Sequence, residues 1–480
     1  MNPPDAGQNL QCHGISIRCN PDPVKLIFHG MLFGQPGTWY NQPVSTGKEK
    51  TLAVEKTRDI STKNWFRLDN AGKLYPAIKN ARWTSLYRMS VAFAEPVDPV
   101  ALQQAVNDIL PRFPSFAVRI RKGVFWYYLE ENPSPFSILK DEGHPCIRMR
   151  WKENGGYLFR VLYHDRRISI EVFHAIADGS GSIVFLKTLA AQYLRRRGID
   201  IPATEGVLDI NTPPEKEEAE DAYGRLPAGF KAKRKEKRAY HLPATREISH
   251  TLHVLAARIS VEALKKAAKG YGVTITEYLT AVMIYVIYCV QQGGKHDKKS
   301  PVKVSVPVNM RSYFPSKTLR NFSFFINPGI DPRMGTYTFE EVLKLAHYYM
   351  RYHLNEKFLA AGIATNVASE RNIFIRVAPL FLKNLIINGI FKRVGESGVS
   401  ATITNLGAMT LPKEMLPHVK HVEVILGPAS TGRCNCAAIS LGDEMTMVFS
   451  RNIQESTLER EVLRFLVKAG IPVLVESNQE

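Results

Sequence analysis

Two α/β domains are the fold class this sequence predicts. Strands of period 2 and helices of period 3.6 alternate in both halves of the chain. At 480 residues, 45% hydrophobic and 22% charged, the chain is long enough for two cores and has an ordinary globular composition. A polar, proline-containing stretch with blocks of like charge separates the halves. The expected division is an N-terminal extension of weak order at 1–60, a first lobe at 61–202, a linker or crossover at 203–245, and a second lobe at 246–480.

Residues 1–60 carry Gly, Pro, Asn and Gln without sustained periodicity. A first strand is expected within 81–95. Asp98-Pro99 sets an N-cap before a proline at the first helical position and predicts a helix to about residue 110. Strands follow at 112–120, 124–129, 157–164 and 167–174, and the H-D-R-R at 164–167 turns the chain between the last two.

In the second half, a strand at 250–259 leads to Ser260, which caps a helix ending at Gly270. Thr274 with Glu277 forms a capping-box pattern that opens an apolar helix to about residue 291. A strand at 302–306, helices at 339–357 and 371–394, short strands at 400–404, 422–425, 437–441 and 445–450, and a closing helix at 455–469 complete the pattern.

The residues with the most chemistry are His174-Ala-Ile-Ala-Asp178-Gly179. In the strand before them, Ile168, Ile170, Val172 and His174 share one face, and Arg167, Ser169, Glu171 and Phe173 the other. His174 therefore falls on the inward face at the strand end. In Asp178-Gly179-Ser180-Gly181-Ser182, the two glycines permit a tight turn with positive φ, and Ser180 or Ser182 is expected to cap the next helix. Ile183, Leu186, Ala190 and Tyr193 form that helix's apolar stripe; Lys187 interrupts it, which predicts incomplete burial. An imidazole, with an unperturbed pKa of about 6.5, suits proton transfer. A hydrogen-bonded core histidine is the competing account.

Other chemistries find little support. No apolar run reaches the roughly 18–20 residues of a membrane span, and no secretory signal is visible, so a cytoplasmic protein is expected. The six cysteines are scattered, and Cys434-Asn-Cys436 stands without a second pair, so no metal site is expected. The net charge of +18 raises nucleic acid as a partner. However, the basic block at 231–238 follows an acidic block at 215–221 in a polar connector, with no nucleic-acid module. A solvated linker is expected instead, and no nucleic-acid partner.

The hexapeptide resembles the H-x-x-x-D-G signature of chloramphenicol acetyltransferase, nonribosomal peptide synthetase condensation domains, polyketide-associated acyltransferases and plant BAHD acyltransferases. Pro307-Val-Asn309-Met-Arg311 with Leu319-Arg-Asn321-Phe resembles the second-domain segment of these enzymes. Ile403-Thr404-Asn405-Leu-Gly407 resembles an S/T-N-L-G segment of stand-alone bacterial alcohol acetyltransferases. The resemblance covers roughly residues 60–475. It implies two chloramphenicol-acetyltransferase-like α/β lobes with mixed sheets and an active-site tunnel between them.

What the resemblance implies for chemistry is a coenzyme A thioester-dependent O-acyltransferase, acetyl-CoA or another acyl-CoA being a cosubstrate with no permanently bound cofactor. The acceptor is then a small-molecule alcohol. His174 is the general base, and no serine or cysteine nucleophile is required, in keeping with the absence of a G-x-S-x-G elbow. Asp178 is architectural and pairs with a distant arginine, for which Arg311 is the candidate; a surface or substrate-facing Arg311 is the alternative. Gly179 lets the backbone turn. Thr404 and Asn405 line the tunnel or stabilise the oxyanion, or else form a strand-end turn. Asn309 and Asn321 shape backbone near the site. Condensation domains usually carry two adjacent histidines, and here the first position is Phe173. This favours O-acyl transfer over the alternative of a condensation-type enzyme using carrier-protein thioesters or an amine acceptor. The non-enzyme alternative is a catalytically silent binding member of the superfamily.

Overall fold

The computed structural model describes residues 65–78, 83–226, 237–247, 251–295, 297–371, 376–390, 397–428 and 434–478. The extension at 1–60 and most of the basic block at 231–238 lie outside them.

Three sheets organise the described residues. A five-stranded sheet runs in the order Val419–Leu426, Leu86–Phe93, Arg167–Phe173, Phe159–His164, Leu139–Lys140. A larger sheet of the second half runs Ser323–Ile326, Val302–Asn309, Ala401–Ala408, Cys434–Leu441, Glu444–Arg451, His253–Ser260, Val473–Ser477. Its Ala401–Ala408 strand is parallel to both neighbours, so the sheet is mixed. A small sheet of Trp65–Arg67, Tyr127–Glu131 and Val118–Lys122 stands apart.

The boundary near residue 246 divides the chain but not the sheets. Val419–Leu426 leaves the second half to pair antiparallel with Leu86–Phe93 of the first. The first core accordingly includes Met409, Val422 and Val424 as well as Ile168, Ile170 and Phe185. The segment 203–245 is also more than a solvated connector. Glu218 of the acidic block is buried against Arg112, and Tyr223 accepts from Ser323 N and donates to Ser323 O.

The strand Arg167–Phe173 is central in its sheet, and both its faces are buried. The alternation in its sequence separates an aliphatic face from a polar face that is also covered. On the polar face Ser169 meets Ser90 at 3.0 Å, and Glu171 receives Arg88 at 2.8 Å. Arg88 also donates to Asp141 at 2.6 Å. These buried charges are paired, as burial requires. Phe173, at the first-histidine position, is fully buried and packs on Trp151 at 5.5 Å between ring centroids.

The helix after the hexapeptide spans Gly179–Arg196. Lys187 does not break its burial. The side chain is enclosed and its ammonium donates to the Glu205 carbonyl. The Thr274 capping box forms, and the helix it opens, Ile275–Gly293, is buried along most of its length. Among the described residues no single helix is long and apolar enough to cross a membrane.

Candidate active site

His174 follows directly on the end of the strand Arg167–Phe173, its backbone N–H donating to Ser85 O at 2.9 Å. The N-cap of the next helix is Asp178, not Ser180 or Ser182: its Oδ1 accepts from Gly181 N at 3.0 Å. Ser182 instead meets the Tyr87 hydroxyl at 2.7 Å. The glycines of this turn are needed for space. Neither Gly179 nor Gly181 has positive φ. A Cβ on Gly181 would stand 1.9 Å from the Leu319 carbonyl oxygen, and one on Gly179 would stand 2.9 Å from Leu406 Cδ2. The start of the helix is thus pressed against two segments of the second half.

Asp178 joins those halves. Its Oδ2 accepts from Arg311 Nη1 at 2.8 Å and from Phe322 N at 2.8 Å. Arg311 also donates from Nε to Thr318 O at 3.0 Å and from Nη2 to Arg320 O at 2.6 Å. Asn309 caps the turn that carries Arg311, accepting from its N–H at 3.1 Å and from Nη1 at 3.2 Å. The carboxylate is buried, so its charge is balanced by the guanidinium and by two backbone N–H groups.

A second buried carboxylate lies on the other side of the imidazole. Asn321 Oδ1 is 3.0 Å from His174 Nδ1, and Asn321 Nδ2 donates to Asp69 Oδ2 at 3.1 Å. Asp69 also accepts from Gly72 N at 2.6 Å and lies 3.5 Å from Arg320 Nη2. Burial, helped by the charge of Asp178, raises its carboxyl pKa above the usual carboxylate value, with Arg320, Gly72 and Asn321 opposing. Every contact described on it is a donor, the surroundings of a carboxylate. An acceptor at Asp69 turns the Asn321 amide so that its oxygen faces the histidine. His174 Nδ1 must then carry the proton, which leaves the Nε2 lone pair free to act as base.

Aromatic rings hold the imidazole from the sides. Tyr75, on the short helix Leu74–Ile78, stacks on it at 4.5 Å and 17° between planes. Tyr87 meets it edge-on at 5.0 Å. His174 is enclosed by protein, yet the residue keeps some accessible surface. Burial lowers its pKa below 6.5, with Asp178, Asn321 and Asp69 opposing. The same enclosure pushes the phenols of Tyr75 and Tyr87 well up, so both stay protonated near neutrality.

The Thr404 and Asn405 segment reaches this region through Leu406, which packs on Gly179. Asn405 itself donates to Thr276 Oγ1 at 3.0 Å and accepts from Gly407 N at 2.9 Å, at an irregularity in the strand. Gly407 has φ +76, a conformation that favours glycine. Asn405 thus closes a local turn and ties it to the start of the helix Ile275–Gly293. Asp69, Tyr75, Tyr87 and Arg320 were not singled out by the sequence reading. Arg320 sits inside Leu319-Arg-Asn321-Phe, and Asp69 ends the sequence Trp65-Phe-Arg-Leu-Asp69, but no spacing links the two. Among the described residues no group of three His, Cys, Asp or Glu is placed to hold a metal.

The fold matches solved structures. Trichothecene 15-O-acetyltransferase TRI3 from Fusarium sporotrichioides aligns at 12% identity and a TM-score of 0.53, over 84% of this chain and 94% of that one. F. sporotrichioides TRI101, solved with coenzyme A and T-2, aligns at 11% identity and TM-score 0.56, over 86% and 99%. The starter condensation domain of rhizomide synthetase RzmA, solved with C8-CoA and Leu-SNAC, aligns at 11% and 0.54, over 85% and 94%. The chain shares the fold of these acetyltransferase and condensation-domain structures. Within this fold, residues 219–358 match the alcohol acetyltransferase family model. That segment holds Asn309, Arg311 and Asn321 and lies between the hexapeptide and the Thr404–Asn405 strand. No curated protein matches the chain by sequence.

Proposed function

We propose that the protein transfers an acyl group, acetyl in the simplest case, from a coenzyme A thioester to an alcohol, with His174 as general base. The observation that carries this reading is the half-buried histidine at the junction of the two halves, with Nδ1 engaged by Asn321. Nε2 takes the proton of the acceptor hydroxyl as that oxygen attacks the thioester carbonyl carbon. The tetrahedral intermediate then collapses with loss of the C–S bond. The proton on Nε2 passes to the departing sulfur, giving ester and free thiol. The histidine ends as it began, and no acyl-enzyme forms. General-base action of this kind contributes about 10²–10⁴-fold.

Asp178 acts through structure: it caps the helix, fixes the turn after His174 and binds Arg311 across the halves. Asn321 holds the reactive tautomer, and Asp69 holds Asn321. A buried imidazole with a lowered pKa stays neutral, and so competent as a base, below pH 6.5. The coenzyme A donor is supported by the ligands of the solved neighbours, which bind coenzyme A or an acyl-CoA.

The test is thiol release from acetyl-CoA with a panel of alcohols and amines, for wild type and His174→Ala. Turnover with alcohols and a loss of about 10²–10⁴-fold in the variant is the expected result. Turnover only with carrier-bound thioesters or with amines would move the protein to the condensation-type reading. No turnover with any donor, together with ligand binding, would make it a silent binding member.

A further inference from the structure

The helix Leu380–Ile390 is inside out. Its polar side chains point into the protein: Lys383 is buried and donates to Phe125 O at 2.8 Å and Arg376 O at 3.0 Å. Asn384 donates to the Tyr127 hydroxyl at 3.0 Å, and Asn388 to Ala77 O at 2.9 Å. Leu380 is buried, but the next apolar side chains point out. Phe381 is 76% exposed, Leu385 72% and Ile386 50%, and Val377 just before the helix is 56% exposed. Positions 381 and 385 lie one turn apart on one face. The hairpin tip beside them adds Val124 at 74% and Phe125 at 46%, and Leu380 N donates to Val124 O at 2.9 Å to join the two.

A water-facing helix ordinarily shows the reverse pattern, so this face needs an apolar partner. Charge identifies which one. Residues 371–390 contain Arg371, Arg376 and Lys383 and no acid, and residues 120–127 contain Arg121 and Lys122 and no acid. Arg376 and Lys122 are exposed around the apolar patch, on a chain of net charge +18. An apolar face set in basic residues fits a membrane surface with anionic headgroups.

We infer that the face formed by Phe381, Leu385, Ile386, Val377, Val124 and Phe125 docks on an anionic lipid surface and brings apolar acceptor alcohols from the bilayer to the site. The second half of that statement rests on the acyltransferase reading. The position favours it: Asn388 is bonded to Ala77 of the helix Leu74–Ile78, whose Tyr75 stacks on His174. One short helix separates the patch from the imidazole.

The test is flotation of the full chain with vesicles of phosphatidylcholine alone or mixed in equal parts with phosphatidylglycerol. Wild type, Phe381→Asp/Leu385→Asp and Arg376→Glu/Lys122→Glu are compared, with melting temperatures to show that each is folded. Wild type should float with the mixed vesicles. The aspartate pair should reduce partitioning by on the order of tenfold or more in both lipids, since it removes two inserted apolar side chains. The glutamate pair should lose only the preference for phosphatidylglycerol. Acetyl transfer to a water-soluble alcohol should be unchanged in both variants, while transfer to a long-chain alcohol dissolved in the vesicles should fall with binding. Failure of folded wild type to float, or equal flotation of the aspartate pair, overturns the docking. So does a dimer that the aspartate pair dissociates, which would make the face an interface between copies. If the protein floats as expected but transfers to no alcohol, docking stands and the acyltransferase reading falls.

Discussion

Asp178 and Asp69 are both buried, both act on His174 and both draw donors from the segment 311–322, yet they hold different things. Asp178 accepts from one side chain and two backbone N–H groups, from Arg311, Phe322 and Gly181. It fixes backbone: the helix start, the turn after the histidine and the seam between the halves. Asp69 reaches the histidine only through an amide, and what it fixes is the rotation of Asn321 and hence the tautomer of the ring. Removing the first should loosen the protein more; removing the second also takes a charge partner from Arg320, 3.5 Å away, but should act chiefly by blunting the base.

The largest effect expected from breaking this pair is at Asp178. Asp178→Asn leaves the Arg311 guanidinium without its charge partner, which costs about 3 kcal/mol for a buried pair. Both melting temperature and rate should fall. A rate loss with unchanged melting would assign Asp178 a direct part in the chemistry. Asn321→Ala should lower kcat by roughly tenfold, the equivalent of one hydrogen bond, with little change in melting or in KM for acetyl-CoA. Asn321 also raises the His174 pKa, so the acid limb of activity should move to lower pH in this variant. An unmoved limb would show that the amide does not engage the ring. Asp69→Asn should give the smallest effect: a modest kcat loss and a shift of the acid limb in the same direction, because Asp69 is the weaker of the two carboxylates acting on His174. A larger melting loss in Asp69→Asn than in Asp178→Asn would reverse the comparison.

The two carboxylates also differ in how far sequence reveals them. Asp178 sits in a motif of fixed spacing, and its arginine lies in a second segment with its own pattern, so both could be named before any coordinates. Asp69 and Tyr75 lie 105 and 99 residues before His174, and no local spacing ties them to the hexapeptide. Asn321 was named for backbone shape, and only coordinates show its oxygen at the imidazole. Strand phase found the inward histidine but also implied an outer polar face, whereas Glu171 lies buried among arginines. A ladder of alternating residues cannot report that its strand is central. The glycines were read for conformational freedom, and Gly181 is instead required because the Leu319 carbonyl fills the place of its side chain. Long-range packing of that kind leaves no local mark in the chain.

The pH dependence of kcat/KM for acetyl transfer, measured in wild type and in His174→Ala, tests the central claim most directly. Because burial lowers the His174 pKa, wild type should keep its activity below pH 6.5 and lose it along an acid limb as the ring protonates. The variant should lose both the rate and that limb. A variant that retains substantial rate with the same acid limb would show that another group takes the proton, and would contradict the account.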